Sequence, residues 1–233
     1  TRVFDWQQPW REHAEPDHVP EAGAAHNRRG IVLLHGYNRN RALWNGWMRE
    51  LRRRGVPCIA VTQEPAFGSI DRYAPAIDAA MRTLQARTGL APLIVAHSMG
   101  GLWVRAWLRT QATDGRVHHI ITIGSPHQGT ALARYAFRDV IRSLRTGSPW
   151  LQQLAADEPS SRHRLFTCFY GHCDNMVFPV EVATLPGADN RHLRAVGHIQ
   201  MAYRTEVFEE ALRWLFISPE QAVLLRRPGP SAG

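Results

Sequence analysis

The stretch Leu93-Ile94-Val95-Ala96-His97-Ser98-Met99-Gly100-Gly101 decides how this chain folds. An apolar run leads into a serine, and a glycine pair then opens a helical sequence from Leu102 to Leu108. This order predicts a strand, a sharp turn and a helix, with Ser98 at the apex of the turn. Small residues on both sides let the strand and the helix approach closely. The stretch therefore predicts a serine nucleophile, and the plain alternative is a serine that caps an ordinary helix.

Strands and helices alternate on both sides of this stretch. Apolar runs predict further strands, and amphipathic stretches such as Leu43 to Leu51 and Val207 to Leu215 predict helices between them. The predicted strands are Ile31–Leu34, Val56–Thr62, Leu93–Ala96, Val117–Ile123, Leu165–Tyr170 and His192–Val196. This alternation predicts an α/β fold with a mostly parallel sheet of about six strands and helices on both faces.

The chain is predicted to form one folded domain over residues 30–217. Residues 1–29 are polar and contain several Pro and His, so we expect a surface segment there. Residues 218–233 are expected to be a frayed C-terminal tail. Residues 131–163 look helical but are interrupted by a glycine and prolines, which indicates a small helical insert. The insert either covers the site as a lid or packs on the sheet, and the sequence leaves both open.

The charge of the chain comes from arginine. The 233 residues include 28 basic and 20 acidic side chains, every basic one is arginine, and the net charge is +8. The arginines are scattered, and their longest run, Arg52-Arg53-Arg54, ends a predicted helix, where cations suit the helix dipole. No basic stripe is interleaved with aromatic residues, so we expect no nucleic-acid partner and ascribe the arginines to a GC-rich genome. Attraction to anionic surfaces stays open.

Composition also bears on location, metals and disulfides. No apolar run approaches the about 20 residues that cross a bilayer. The chain begins at Thr1 rather than at Met, so we expect a processed form, and secretion, membrane anchoring and a cytoplasmic location stay open. Three cysteines without a spacing pattern argue against a disulfide framework or a zinc site. Cys58 and Cys168 are expected to be buried, and a bridge between Cys168 and Cys173 stays open.

A serine hydroxyl needs a neighbouring base, and the base needs an acceptor that orients it. In enzymes with this kind of serine turn the chain order is Ser, acid, His. Among 12 histidines, His198 fits the base best because it follows the last predicted strand and precedes the last helix. His192 lies within that predicted strand. His127 follows an earlier strand and is a candidate for contact with the substrate.

Two aspartates compete for the role of the acid. Asp174 follows the predicted strand Leu165–Tyr170 and precedes His198 by enough residues for a loop and one more strand. Asp189 lies in Pro186-Gly187-Ala188-Asp189-Asn190, which is typical of a turn. We therefore predict Asp174 as the acid.

The oxyanion of a tetrahedral intermediate needs about two preorganised N–H donors. The backbone N–H of Met99, directly after the serine, is predicted to be one of them. The loop after the first strand, His35-Gly36-Tyr37-Asn38, is predicted to supply the other through the N–H of Tyr37. The Tyr37 ring is also a candidate for stacking against a substrate.

These motifs together resemble bacterial α/β-hydrolases of the lipase/esterase type. The Ala-His-Ser-Met-Gly form is similar to small Bacillus-type lipases, the Ser-Pro-His-Gln-Gly-Thr loop to lipases of Pseudomonas and Burkholderia, and the aromatic after His-Gly to cutinase-like polyester hydrolases. His198 is followed by Ile199-Gln200-Met201, without the calcium-binding acid of the Pseudomonas type. The residues that carry the resemblance are Leu33–Gly36, Val95–Gly101, Ile123–Thr130, Asp174, Val177, Pro179 and Gly197-His198.

The resemblance implies a serine carboxylester hydrolase without cofactor or metal. Its substrate would be a small-molecule, lipid or polymer ester, and we expect a monomer. Trp44, Trp47 and Trp103 are candidates for lining an acyl pocket, although such residues are more often core. A thioesterase, an acyltransferase or an amidase with the same triad, and a non-catalytic binding protein of this fold, are the alternatives.

Overall fold

The sheet is the centre of the computed structural model, which describes residues 14–21, 25, 27–37, 39–62, 69–136 and 139–225. Its order is β2-β1-β3-β4-β5-β6, and every neighbouring pair is parallel. The strands are β1 (Ile31–Leu34), β2 (Cys58–Val61), β3 (Leu93–His97), β4 (His119–Ile123), β5 (Phe166–Tyr170) and β6 (Asp189–His192). The predicted parallel sheet of about six strands is confirmed.

Helices cover both faces of the sheet, as predicted. They are α1 (Asn45–Arg53), α2 (Ala74–Thr88), α3 (Gly100–Arg109), α4 (Asp139–Arg142), α5 (Pro149–Asp157), α6 (Thr205–Phe216) and α7 (Pro219–Leu225). One apolar cluster joins the sheet to α2, α3 and α5, and the other joins it to α1 and α6. Val32 and Leu34 of β1 belong to the first cluster, and Ile31 and Leu33 to the second. A strand buried on both faces needs apolar residues at every position, which explains the unbroken apolar run.

The order of the strands determines where a site can form. The chain runs from β1 to the edge strand β2 and then returns to β3 on the other side of β1. Open parallel sheets generally bind their ligands at such a reversal, outside the carboxyl ends of the two strands, which here are β1 and β3. The loop at His35–Tyr37 and Ser98 follow these two strands.

The sixth strand lies earlier than predicted. We expected His192–Val196, but β6 covers Asp189–His192, so Asp189 begins a strand rather than occupying a turn. The strand is polar, and it lies at the edge of the sheet. Leu193 and Val196, which suggested a strand by their apolar character, are buried in the connection that follows it. Backbone pairing to β5 holds β6 without an apolar pattern.

The segments outside the sheet also differ from the expectation in places. Part of the tail that we expected to be frayed forms α7, with Ala222 buried, while residues 226–233 and 1–13 lie outside the described part. His18 forms an antiparallel bridge to Cys58 on the edge strand β2. No helix of the described residues is long and apolar enough to cross a membrane.

The insert at 131–163 packs on the sheet through part of its length. Ala133, Val140, Leu151 and Leu154 join the cluster with α2 and α3. Leu132 and Tyr135 are exposed instead, and Phe137 lies outside the described residues.

Candidate active site

Ser98 occupies the turn between β3 and α3 in a strained backbone conformation. Its φ is +56°, which is uncommon for a residue with a side chain. The Ser98 N–H donates to the Ile123 carbonyl at 2.8 Å, which fixes the turn to β4. A Cβ on Gly100 would lie 2.7 Å from the His35 carbonyl oxygen, and a Cβ on Gly36 would lie 2.7 Å from the Ser98 Cβ. Glycine is therefore required on both sides of the serine.

Three predicted residues meet in one hydrogen-bonded chain. His198 Nε2 lies 2.9 Å from Ser98 Oγ, and His198 Nδ1 lies 2.8 Å from Asp174 Oδ2. A carboxylate only accepts, so Nδ1 carries the proton and the Nε2 lone pair faces the serine hydroxyl. Both His198 and Asp174 are buried. This geometry is what a histidine needs in order to take a proton from a serine.

Asp174 is held as a carboxylate by the turn in which it lies. Its Oδ1 accepts from the N–H groups of Met176 at 2.8 Å and Val177 at 2.9 Å. Burial raises the pKa of Asp174, but the hydrogen bond from His198 and these backbone donors outweigh it, so the pKa lies below its ordinary value. The competing Asp189 pairs with Arg191 at the sheet edge instead.

The two predicted oxyanion donors flank the serine. Met99 directly precedes α3, where backbone N–H groups lack acceptors within the helix. Tyr37 follows Gly36, which touches Ser98, and the Tyr37 ring packs partly against the cluster around α2 and α3. Asn38 lies outside the described residues. The donor roles of Met99 and Tyr37 remain predictions.

Two histidines that the sequence placed in the motifs support the site. His97 Nε2 donates to the backbone carbonyl of His198 at 3.0 Å, and the centroids of the two rings lie 4.7 Å apart. Complete burial lowers the pKa of His97 to about 3, so its ring is neutral beside the catalytic base candidate. His35 Nδ1 donates to the Gly36 carbonyl at 2.7 Å, and burial lowers its pKa to about 4. His97 is the last residue of β3 and His35 follows β1, but nothing local in the sequence assigns them these partners.

Comparison with known proteins decides the family. A family model described as "Alpha/beta hydrolase family" matches residues 31–227. The chain belongs to the alpha/beta hydrolase family. Triacylglycerol lipase 2 of Saccharomyces cerevisiae is 32% identical over 98 residues, which are 40% of this chain and 30% of the yeast protein. The match thus spans less than a third of that relative.

Solved structures of two lipases share the fold. The mature Bacillus licheniformis lipase BlEst2 superposes with a TM-score of 0.68 at 19% identity, covering 88% of this chain and 97% of that one. Aspergillus fumigatus lipase B gives a TM-score of 0.71 at 14% identity, and the match covers 89% of this chain and 59% of the lipase. The predicted resemblance to α/β-hydrolases of the lipase/esterase type is confirmed, and its bacterial part remains a prediction.

The three tryptophans that were candidates for substrate contact lie in the core of this α/β-hydrolase. Trp44 is fully buried and packs on Trp47 in the cluster beneath α1 and α6. Trp103 is buried against His35, with ring centroids 5.7 Å apart. The structure therefore speaks against substrate contact by these tryptophans, because their surfaces are already covered.

The predicted substrate contact by His127 is also corrected, because its side chain is buried. Its Nε2 lies 2.9 Å from Thr122 Oγ1, and its ring packs edge-on against Phe166. Burial holds the pKa of His127 well below its ordinary value, so the ring is neutral. His127 is a buried core histidine rather than a group in contact with substrate. Among the described residues, no three His, Cys, Asp or Glu side chains are grouped to hold a metal.

Proposed function

We propose that this α/β-hydrolase is a serine carboxylester hydrolase. The observation that carries the proposal is the chain of hydrogen bonds from Ser98 Oγ through His198 to Asp174, at 2.9 and 2.8 Å. A serine on a strained turn, a buried base and a carboxylate kept ionised are the parts that acyl transfer needs.

The reaction follows from these positions. Ser98 Oγ forms a bond to the ester carbonyl carbon while its proton passes to His198 Nε2. The N–H groups of Met99 and Tyr37 stabilise the oxyanion. When the intermediate collapses, the bond to the alcohol breaks and His198 returns the proton to the leaving oxygen. A water molecule, deprotonated by His198, then releases the acid from Ser98 by the same steps in reverse.

Asp174 and His97 hold the base in place during these steps. The carboxylate of Asp174 stabilises the imidazolium that forms on His198. His97 is neutral and donates to the His198 backbone, so it adds no positive charge beside that imidazolium. A positively charged neighbour would raise the energy of the protonated base.

The side chains around the turn that carries Asp174 favour esters with an apolar acyl group. Met176 and Phe178 follow Asp174 and are exposed. The Phe178 carbonyl accepts from Ala131 N–H at 2.8 Å, so this turn is joined to the insert, whose Leu132 is also exposed. The similarity to proteins named as lipases supports the same substrate class. Polyesters with apolar units belong to the same class of substrate.

The first experiment compares Ser98→Ala with a matched control, Ser161→Ala, at an exposed serine of the insert. We expect Ser98→Ala to lose p-nitrophenyl ester turnover by at least about 10³-fold, the scale found on removing a triad member. It should also lose labelling by a fluorophosphonate, while the control keeps both. Turnover by Ser98→Ala at the rate of the control would contradict the proposal.

A second experiment separates the substrate classes. The wild type is assayed on a p-nitrophenyl ester chain-length series, a lipid emulsion, a polyester film, a thioester and an anilide. We expect esters to be the preferred class. A preferred thioester or amide would replace the ester assignment, and the absence of any acyl-enzyme with a folded protein would support a non-catalytic binding protein.

A further inference from the structure

Two histidines meet at an edge of the sheet that the proposed reaction does not use. His192 is the last residue of β6, and it pairs in register with Tyr170, the last residue of β5. His172 follows Tyr170 in the turn from Gly171 to Asp174. The ends of two neighbouring parallel strands thus present two imidazoles side by side, and both side chains are exposed.

The nitrogen atoms of the two rings face each other. His172 Nδ1 lies 2.6 Å from His192 Nε2, with ring centroids 4.5 Å apart and planes inclined by 65°. The Tyr170 ring lies against His192, with centroids 5.4 Å apart, which limits the positions that the His192 ring can take. At this distance one nitrogen donates its proton to the lone pair of the other. Each ring therefore directs one nitrogen toward the same point in space.

We propose that His172 and His192 form a binding site for a divalent transition-metal ion that prefers imidazole, namely Zn²⁺, Ni²⁺ or Cu²⁺. Two nitrogens on a tetrahedral ion with bonds of about 2.0–2.1 Å lie about 3.3 Å apart. The rings need to separate by less than about 1 Å to reach that spacing, which exposed side chains do by small rotations. The shared proton moves to the outer nitrogen of its own ring, so each neutral imidazole keeps one N–H.

The ligand set determines which ions bind and how tightly. Within the described residues no third His, Cys, Asp or Glu completes a cluster with the pair, so water fills the other positions. Ca²⁺ and Mg²⁺ prefer oxygen ligands and are not expected to bind. A bound ion would join the turn before Asp174 to the edge strand β6. Because the unfolded chain does not hold the two rings together, binding stabilises the folded state.

The test is a calorimetric titration of the full chain with Zn²⁺ and Ni²⁺, with Mg²⁺ and Ca²⁺ as controls. We expect one transition-metal ion per chain, and a rise of about 5 °C in the thermal unfolding midpoint at a hundredfold excess over Kd. His172→Ala and His192→Ala should each weaken binding at least tenfold. His18→Gln is the matched control, since it removes a histidine near the opposite edge strand, and it should leave binding unchanged.

Two further measurements test whether the two imidazoles are the ligands. Cys173→Ser should bind like the wild type, because the neighbouring thiol is not a ligand. Electron paramagnetic resonance of the Cu²⁺-loaded wild type should show coupling to two imidazole nitrogens, which requires no variant to fold. Wild-type affinity in either alanine variant, loss of binding in Cys173→Ser, or coupling to a single nitrogen would overturn the proposal.

Discussion

At the scale of single residues, Gly124 shows how closely the backbone encloses the candidate triad. Its φ is +55°, which favours glycine. A Cβ at this position would lie 2.8 Å from Met201 Cε, 3.0 Å from Asp174 Oδ2 and 3.1 Å from His198 Nδ1. The glycine after β4 therefore leaves the space in which the acid and the base meet.

Gly124→Ala should reduce kcat by about 10²-fold, because a shift of the reacting groups by an ångström has an effect of that size. The added methyl group presses between Asp174 and His198 and moves the base away from Ser98. The measurement is steady-state kinetics on a p-nitrophenyl ester, with the unfolding midpoint recorded for the same preparation.

Gly187→Ala is the matched control for this prediction. Gly187 also has a positive φ, +82°, but a Cβ there meets nothing within 4 Å. The control carries the same kind of backbone strain without touching the triad. Equal kinetic losses in the two variants would show that strain, rather than the contact with the triad, causes the effect.

At the scale of elements, a buried ionic network joins α3 to the end of the insert. Arg105 of α3 donates to Glu158 Oε2 at 2.6 and 2.9 Å and to the His127 carbonyl at 2.8 Å. His163 Nε2 lies 3.2 Å from the same Glu158 oxygen, and its Nδ1 lies 2.8 Å from the Pro186 carbonyl. Since both ring nitrogens face acceptors, the imidazolium satisfies both contacts and a neutral ring satisfies only one.

The charge on His163 makes this network depend on pH. The hydrogen bond to Glu158 raises the pKa of His163 above its ordinary value. Because the folded pKa is raised, the stabilisation is fully present below the unfolded value of about 6.5 and is lost as pH rises through the folded value.

His163→Gln should therefore destabilise the protein at pH 6 by about 1.5 kcal/mol, the scale of a hydrogen bond to a charged group. The difference from the wild type should shrink between pH 6 and pH 9, as the wild-type ring loses its proton. Urea unfolding of both proteins at pH 6 and pH 9 measures this difference in the free energy of unfolding. A difference that stays constant or grows with pH would contradict the assigned charge.

At the scale of the whole molecule, the reactivity of the three cysteines measures how well the sheet is protected from solvent. All are free, with Cys58 and Cys168 buried in strands and Cys173 exposed. The bridge between Cys168 and Cys173 that the sequence left open is absent from the structure. Burial raises the pKa of Cys58 to about 11 and that of Cys168 to about 12, so neither supplies a thiolate near neutral pH.

Titration with a chromogenic disulfide reagent should detect one thiol in the native protein and three after denaturation. Cys173→Ser should reduce the native count to zero, and a reducing agent should leave the unfolding midpoint unchanged. Rapid labelling of a second thiol in the native state would show that a sheet strand opens to solvent.

The sequence predicted the features that depend on short stretches of chain. Apolar runs located five strands, since a strand covered on both faces is apolar at most of its positions. The serine turn at Ser98 was recognisable because glycines and small residues are required within a few positions of it. Asp174 and His198 were found because they follow strands in a fixed chain order, and the structure brings both to Ser98.

Other features depended on contacts between distant parts of the chain. The edge strand β6 has no apolar pattern and pairs with β5 through backbone bonds that any sequence can make, so its position was missed. Trp44, Trp103 and His127 are aromatic or polar side chains whose burial is decided by neighbours far along the sequence. Local patterns thus determined the backbone conformation and the chain order of the candidate triad. Only tertiary packing decided which side chains are covered and which, such as His172 and His192, are brought together, because the free energy of burial belongs to pairs of surfaces rather than to single segments.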